Sequence, residues 1–527
     1  MKTGLLIGTN PKNIGNLFKQ LIQNERLSTL YIQLLTEMKL EALMLNQDKN
    51  MYTNKNVFRK TVFDYYSTLK NIDVDVRVLL PNFKNVNLLK VITKKPIEVV
   101  YFDSTYSSSA IKNFVQTYVV NKSPNCRTIS FFANNDEYNF SFSENKEESV
   151  HNFEEYDYVV LGGTFDKLHI AHKIMLSEAV MRCRKRLTVG VTTESLLQSK
   201  ILPDLIEDCD IRIKILNDFL NDIESNIEYN IVPIDDMYGP TKTDPTLEMI
   251  VVSTETIKGA EKVNEYRENT GLSKLNVISI DIIKSVKESD NEENKISSSN
   301  LRMRMLGTLL RPPVPRLNIP SRPYIIGLTG NIASGKSSIS NHLQKFGCGY
   351  VNCDELGHKI YEMGSEGYNF IKDHFGLNVL NEDGSVNRKQ LGTIVFSDQQ
   401  QLQKLNSILW PIILKNVKER ITVLHSNEDV VVIEAALLIQ ANWVEECHEL
   451  WACIIPPNEA VKRLQNRDNL SVEEAQTRIR SQLKNKEIVS KANVIFCTLW
   501  DENYTKKQVE KAWCQLQERL SFTNSSL

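Results

Sequence analysis

Tyr324-Ile325-Ile326-Gly327-Leu328-Thr329-Gly330-Asn331-Ile332-Ala333-Ser334-Gly335-Lys336-Ser337-Ser338 is the stretch that decides the fold of the C-terminal part of this chain. An apolar run of strand length leads into Gly330, and Gly330 to Ser337 match G-x-x-x-x-G-K-[ST] at every fixed position. Ser338-Ile339-Ser340-Asn341-His342-Leu343 continues as a helix. A strand, a glycine-rich turn and a helix in that order form a phosphate cradle. The amides of Gly330, Asn331, Ile332, Ala333, Ser334, Gly335 and Ser338 line it, Lys336 reaches the β/γ oxygens, and the Ser337 hydroxyl is the ligand for Mg²⁺. Such a unit opens a parallel α/β sheet.

Working outward, the next strand is read as Gly349-Tyr350-Val351-Asn352-Cys353-Asp354, ending in a carboxylate beside the phosphate loop. Asp354 there would take or orient the proton of an attacking hydroxyl; it could also serve as a helix N-cap. Further on, Arg463 to Arg467 and Arg478-Ile479-Arg480-Ser481-Gln482 read as a lid, with Arg467 and Arg478 as cations that meet phosphate charge on closure.

A second phosphate signature lies upstream: Gly162-Gly163-Thr164-Phe165-Asp166-Lys167-Leu168-His169-Ile170-Ala171-His172, after the apolar strand Tyr158-Val159-Val160-Leu161. The glycines leave room for phosphate against main-chain amides. His169 and His172, three apart at a helix start, face the same way and can donate to a phosphate whose charge grows in an in-line transition state.

Both segments sit in stretches that alternate apolar strands with amphipathic helices, so the fold class is α/β, multi-domain, with parallel sheets. In a chain of 527 residues three domains are expected. The boundaries fall at the polar stretch Ser143 to Ser149 and at the proline-rich linker Arg311 to Pro323. This gives residues 1–150, a probable α/β N-terminal domain with no motif of its own, then 151–310, a linker 311–323, and 324–527. In the N-terminal piece Leu5 to Gly8, Val74 to Leu80, Glu98 to Phe102 and Thr128 to Phe132 are candidate strands, and Leu45 to Asn56 reads as an insertion.

A net charge of -2 argues against nucleic acid as a partner. The 9 cysteines include no C-x-x-C pair and read as reduced thiols of a cytoplasmic protein, without a zinc site. The longest apolar run, Val430 to Ile439, is too short for a transmembrane segment. Met1 to Gly8 reads as a first strand, neither a secretory signal nor an Arg-rich mitochondrial presequence; association with an organelle surface is not readable.

The Gly163–His172 segment resembles the T/H-x-G-H nucleotidyltransferase superfamily, in the form found in eukaryotic phosphopantetheine adenylyltransferases, with Ala171 where bacterial members have glycine. Lys295-Ile296-Ser297-Ser298-Ser299-Asn300-Leu301-Arg302 is similar to the second signature of that family. The resemblance implies that Gly163, Thr164, Phe165, Ser297, Ser298, Ser299 and Arg302 bind ATP. It further implies His169 and His172 at the reacting phosphate, and Lys200 neutralising charge on the acceptor or leaving group. Residues 324–527 resemble dephospho-CoA kinase through the phosphate loop, Asp354, Asp383-Gly384, Asn387-Arg388, Trp410-Pro411 and Arg467-Asp468. Bacterial relatives have His-Pro at Trp410-Pro411 and an acidic residue near Gln440, so those roles are not transferred.

With the two domains in this order the whole chain resembles the bifunctional coenzyme A synthase family. That implies adenylyl transfer from ATP to 4′-phosphopantetheine, giving dephospho-CoA and pyrophosphate, followed by ATP-dependent phosphorylation of the ribose 3′-hydroxyl to give CoA. Two other readings stay open at this point: a different adenylyltransferase–kinase fusion, such as a NAD-type one, or a scaffold with vestigial sites. Residues 1–150 are expected to serve localisation, assembly or regulation by binding a protein or an organelle surface. They are also expected to be dispensable for both reactions.

Overall fold

The computed structural model describes residues 2–8, 11, 14, 16–35, 55–70, 72–84, 90–103, 106–131 and 153–524. The polar stretch Ser143 to Ser149 lies outside them, as do positions 45–54 of the expected insertion, whereas Lys55 and Asn56 begin a helix, Lys55–Thr68.

Fifteen strands form three five-stranded sheets among the described residues. The first contains β1 (Lys2–Gly8), β2 (Leu27–Leu34), β3 (Asp75–Val78), β4 (Ile97–Phe102) and β5 (Lys122–Ser130), in the order β3-β2-β1-β4-β5. The second contains β6 (Tyr156–Gly163), β7 (Cys183–Thr192), β8 (Glu228–Ile234), β9 (Met249–Ser253) and β10 (Asn276–Ile280), in the order β10-β9-β6-β7-β8. The third contains β11 (Tyr324–Gly330), β12 (Gly349–Asn352), β13 (Val430–Glu434), β14 (Glu449–Ile454) and β15 (Val494–Cys497), in the order β12-β13-β11-β14-β15. Every pairing is parallel. Parallel strands are covered on both faces, which is why Leu187 to Val191 and Val430 to Glu434 are buried at every position rather than alternately.

The first two sheets have the same topology: read from its own first strand, each runs 3-2-1-4-5. They also share one hydrophobic core. Phe58, Val62, Tyr65, Tyr66 and Phe83 from the N-terminal part pack in the same cluster as Ile174, Leu176, Met181 and Phe219. The helix Lys55–Thr68 lies against the helix Ile170–Arg182. The chain accordingly divides into two compact units and not three: residues Met1–Glu288 with Glu292–Leu301, and Ser289–Asn291 with Arg302–Leu527. This corrects the expectation that residues 1–150 stand apart. The polar composition near residue 145 suggests a boundary, but apolar faces of Lys55–Thr68 and Ile170–Arg182 close into one interior.

The proline-rich segment belongs to the second unit. The Arg311 guanidinium donates to the carbonyls of Val489 (2.6 Å) and Ala492 (2.9 Å), and Arg316 pairs with Glu445 at 2.5 Å. In that unit the core of the sheet includes Ile326, Leu328, Ile339, Val432, Trp451 and Phe496. Between β12 and β13 a helical insertion, 353–425, forms a core of its own around Tyr368, Ile371, Leu391, Leu405 and Leu409. No helix of the described residues is long and apolar enough to cross a membrane.

Candidate active sites

The second sheet changes direction at β6, which has β7 on one side and β9 on the other, so the crevice outside their C-terminal ends is a topological switch point. Gly162-Gly163 end β6 there, Thr192 ends β7 and Ser253 ends β9. Phe165 and Lys167 each have φ of 51°, a left-handed conformation that non-glycine residues rarely adopt, so the turn after β6 is bent tightly toward the next helix.

His169 is the N-cap of the helix Ile170–Arg182, its ring Nδ1 accepting from the His172 amide at 3.4 Å. The two imidazoles stack with centroids 3.7 Å apart and planes 14° from parallel, and Phe165 lies 5.4 Å from His172. Burial pushes the His172 pKa down to about 3. Its Nδ1 is buried with no hydrogen-bond partner among the described residues. His172 is therefore uncharged at neutral pH and can donate its ring N–H to a phosphoryl oxygen without bringing a positive charge into the site.

The second signature comes to the same place. The Ser298 hydroxyl donates to the carbonyl of Asp166 at 2.8 Å, and Ser297 caps the helix Ser298–Met305 by accepting from the Asn300 amide at 3.2 Å. Ser299 lies in the first turn of the same helix. Lys295 pairs with Glu255, just beyond β9, and with Glu293, tying this loop to the other side of the crevice. Arg302, expected to bind ATP, is buried at 1% exposure. Lys200 is exposed in a bend before Pro203–Leu205.

One residue carries weight that the sequence did not disclose. Arg212, at 1% exposure, donates to the carbonyls of Glu207 (2.8 Å), Thr164 (2.6 Å) and Thr192 (2.8 Å). The guanidinium holds the ends of β6 and β7 together from below and leaves a buried positive charge under the phosphate turn. Thr192 also donates to the Thr164 hydroxyl at 3.2 Å. In the sequence, Arg212 is one of several charges on an amphipathic helix, with nothing to mark it.

In the third sheet the phosphate loop follows β11. Gly335, at φ 90°, caps the helix Lys336–Gln344, and a Cβ there would stand 2.7 Å from Thr498. A Cβ on Gly330 would meet the carbonyl of Cys453 at 2.3 Å. Both glycines are thus required by close approach as well as by backbone angle. The Cys453 thiol and the Thr498 hydroxyl donate to the Ser334 carbonyl, at 2.7 Å and 2.8 Å, fixing the loop on β14 and the end of β15. Lys336 lies over the carbonyls of Gly330 (2.9 Å) and Asn331 (3.3 Å), and Ser337 is exposed on the first turn.

A cavity of about 600 Å³ is lined by Ala333 to Ser337 together with Arg463, Asn466 and Arg467. Arg463 donates to the carbonyls of Ala333 (3.2 Å) and Thr498, and Gln482 accepts from the Ile332 amide at 2.8 Å. Asn331 donates to the Leu483 carbonyl at 2.8 Å. The predicted lid therefore flanks the loop. Arg467 is held by Asp468 through two bonds of 2.8 and 2.9 Å, while Arg478 stands 3.9 Å from the same carboxylate and does not line the cavity.

Asp354 needs a correction. The strand ends at Asn352, whose side chain caps the next helix by accepting from the amides of Asp354 and Glu355. Asp354 is an exposed residue of that helix's first turn, neither the end of a strand nor the cap. Nor does β12 lie beside β11, because β13 pairs between them. The carboxylate at the C-terminal end of the strand next to β11 is Glu434, 5% exposed and accepting from the Tyr350 hydroxyl at 2.8 Å. Chain order suggested the neighbour of β11, whereas the crossover puts the third strand there.

Comparison with known proteins finds a family match over each of the two regions. Residues 324–498 match the family model of dephospho-CoA kinase, and residues 160–304 match that of cytidylyltransferase-like proteins. The C-terminal part is 38% identical over 186 residues to the dephospho-CoA kinase of Carboxydothermus hydrogenoformans, spanning 35% of this chain and 90% of that protein. It is 36% identical over 200 residues to that of Moorella thermoacetica, spanning 38% and 94%. The solved dephospho-CoA kinase of Campylobacter jejuni is 26% identical, with 37% of this chain and 97% of that one covered and a TM-score of 0.30.

Proposed function

This chain belongs to the dephospho-CoA kinase family through residues 324–498, and we propose that it performs the last two steps of coenzyme A synthesis at two separate sites. The observation that carries the reading is the presence, in one chain and in pathway order, of a nucleotidyltransferase-like crevice and a phosphate-loop cavity.

At the first site the ATP phosphates lie on the amides of the turn after Gly163 and on the helix start at Ser298–Ser299. His169 and His172 donate to the α-phosphate as the phosphate of 4′-phosphopantetheine attacks in line and pyrophosphate leaves. Stabilising that charge requires only oriented donors, so a neutral His172 suits the task, and the buried Arg212 adds a fixed positive field. Lys200, exposed at the rim, is assigned to the charge of the acceptor or leaving phosphate.

At the second site Lys336 and the loop amides hold the β- and γ-phosphates of a second ATP, and Arg463 and Arg467 flank the transferring group. Asp354, exposed in the first turn of its helix, is assigned to take the proton of the ribose 3′-hydroxyl. The Ser337 hydroxyl and the Glu434 carboxylate, both oxygen donors, would hold Mg²⁺ together with phosphate oxygens, and the ion would neutralise charge on the phosphates. The 9 cysteines are free thiols, which fits a reducing compartment such as the cytoplasm.

Incubating the purified chain with ATP and 4′-phosphopantetheine and weighing the products tests the reading. Dephospho-CoA followed by CoA is expected. Turnover of nicotinamide mononucleotide instead would favour a NAD-type fusion, and no ATP turnover would favour a scaffold.

A further inference from the structure

We propose that the N-terminal sheet is a working part of the first active site, and that Asp75 is a positioning residue which fixes the catalytic helix through Lys173. The proposal rests on the adenylyl-transfer reading above.

Lys173 directly follows His172. Its side chain is buried at 5% exposure, and its ammonium lies 2.5 Å from the Asp75 carboxylate and 3.0 Å from the Val76 carbonyl, both on β3. A buried lysine needs a carboxylate, and the one it finds comes from the other sheet. Burial opposes ionisation of Asp75, but the charges of Lys173 and Arg77 outweigh it and hold the carboxyl below the usual carboxylate range.

The bond is the first of a chain. Arg77 grips the second oxygen of Asp75 at 2.8 Å and reaches Asp222 at 2.6 Å. Asp222 also accepts from the Tyr31 hydroxyl (2.5 Å) and the Lys94 amide (2.9 Å). Phe219 packs against both cations, 5.8 Å from Lys173 and 5.9 Å from Arg77. Two cations and two carboxylates cancel, so the chain is neutral only when complete. Asp222 and Phe219 belong to the helix Cys209–Ile223, which also carries Arg212. Both helices that hold the site, one with His169 and His172 and one with Arg212, are thus fastened to β3.

This placement bears on rate because His172 has no bond at Nδ1 to any described residue. Its ring is aimed by the helix backbone and by the stack on His169. A rotation of the first turn misdirects it, and misplacement by an ångström can cost about 100-fold. Neither Asp75 nor Lys173 touches the reacting groups.

The test compares Asp75→Asn, Lys173→Met and Lys173→Arg with the wild type in the full chain, measuring dephospho-CoA formation, phosphorylation of supplied dephospho-CoA, and melting. Asp75→Asn and Lys173→Met are expected to lower kcat of the first reaction by about 10- to 100-fold, with KM for ATP nearly unchanged and the second reaction untouched. Lys173→Arg, which keeps the ion pair, restores most of kcat. If the first two variants do not fold, Asp75→Glu displaces the same ammonium with the charge retained and is expected to show the same loss confined to kcat. A folded Asp75→Asn or Asp75→Glu protein with wild-type kcat overturns the proposal, as does a loss shared equally by KM or by the second reaction. A wild type that makes no dephospho-CoA overturns the functional reading instead.

Discussion

The two phosphate sites of this chain are built from opposite materials. In the second sheet, the turn after β6 is aimed by a stacked histidine pair, with His172 held neutral by burial, and is underlain by one buried guanidinium. In the third, the loop after β11 carries a half-buried lysine folded over its own carbonyls and is flanked by two arginines of one helix, Pro457–Asp468. The difference follows the chemistry proposed for each. Adenylyl transfer needs oriented donors where an α-phosphate becomes crowded with charge. Phosphoryl transfer needs cations around the group in flight, and here Arg463 and Arg467 stand beside the loop.

The sharpest way to break the comparison is to remove the lysine of the phosphate loop. Lys336→Ala is expected to stop CoA formation by at least about 10³-fold, since a charged donor is worth more than a neutral one, while adenylyl transfer continues. Kinetics on each substrate separately check this. His172→Ala is the mirror experiment: a loss on the order of 10²–10³ in the first reaction, with supplied dephospho-CoA phosphorylated at the wild-type rate. Equal damage to both reactions in either variant would mean that the sites are not separable.

Asp354→Asn should cost the second reaction about 10²-fold, at the low end for a general base because the carboxylate is exposed. ATP affinity measured by calorimetry is expected to stay. Should affinity fall instead and Glu434→Gln lower turnover, the two carboxylates exchange roles.

The smallest effect is a pH dependence. Because burial depresses the His172 pKa to about 3, the residue stays neutral across pH 5 to 8 and gives the first reaction no inflection near 6.5. The sign for stability follows. An unfolded histidine takes a proton near 6.5 and the folded one does not until about 3, so the contribution is complete above 6.5 and is lost as pH falls between those values. His172→Gln should flatten that acid limb in a melting series. An inflection near 6.5 that vanishes in His172→Gln would show a charged histidine at work.

Much of this was legible in the residues. Gly330 to Ser337 announce both a loop and its sheet, and Gly163 with His169 and His172 announce the other. What was hidden has physical reasons. The neighbour of β11 is β13, because a crossover skips a strand, and strand order is not written in local pattern. The role of Arg212 depends on three carbonyls contributed by residues 5, 20 and 48 positions away, which no spacing rule encodes. The N-terminal sheet looked separable because the polar stretch near residue 145 is visible in sequence. The core that joins Phe58 and Tyr66 to Ile174 and Leu176 is not.

The central claim is that one chain holds two independent sites acting in sequence. The most direct measurement is the product mass spectrum of Lys336→Ala given ATP and 4′-phosphopantetheine. Dephospho-CoA accumulating without CoA is the result expected. CoA still forming, or no adenylylated product appearing at all in a protein that remains folded, would contradict the claim.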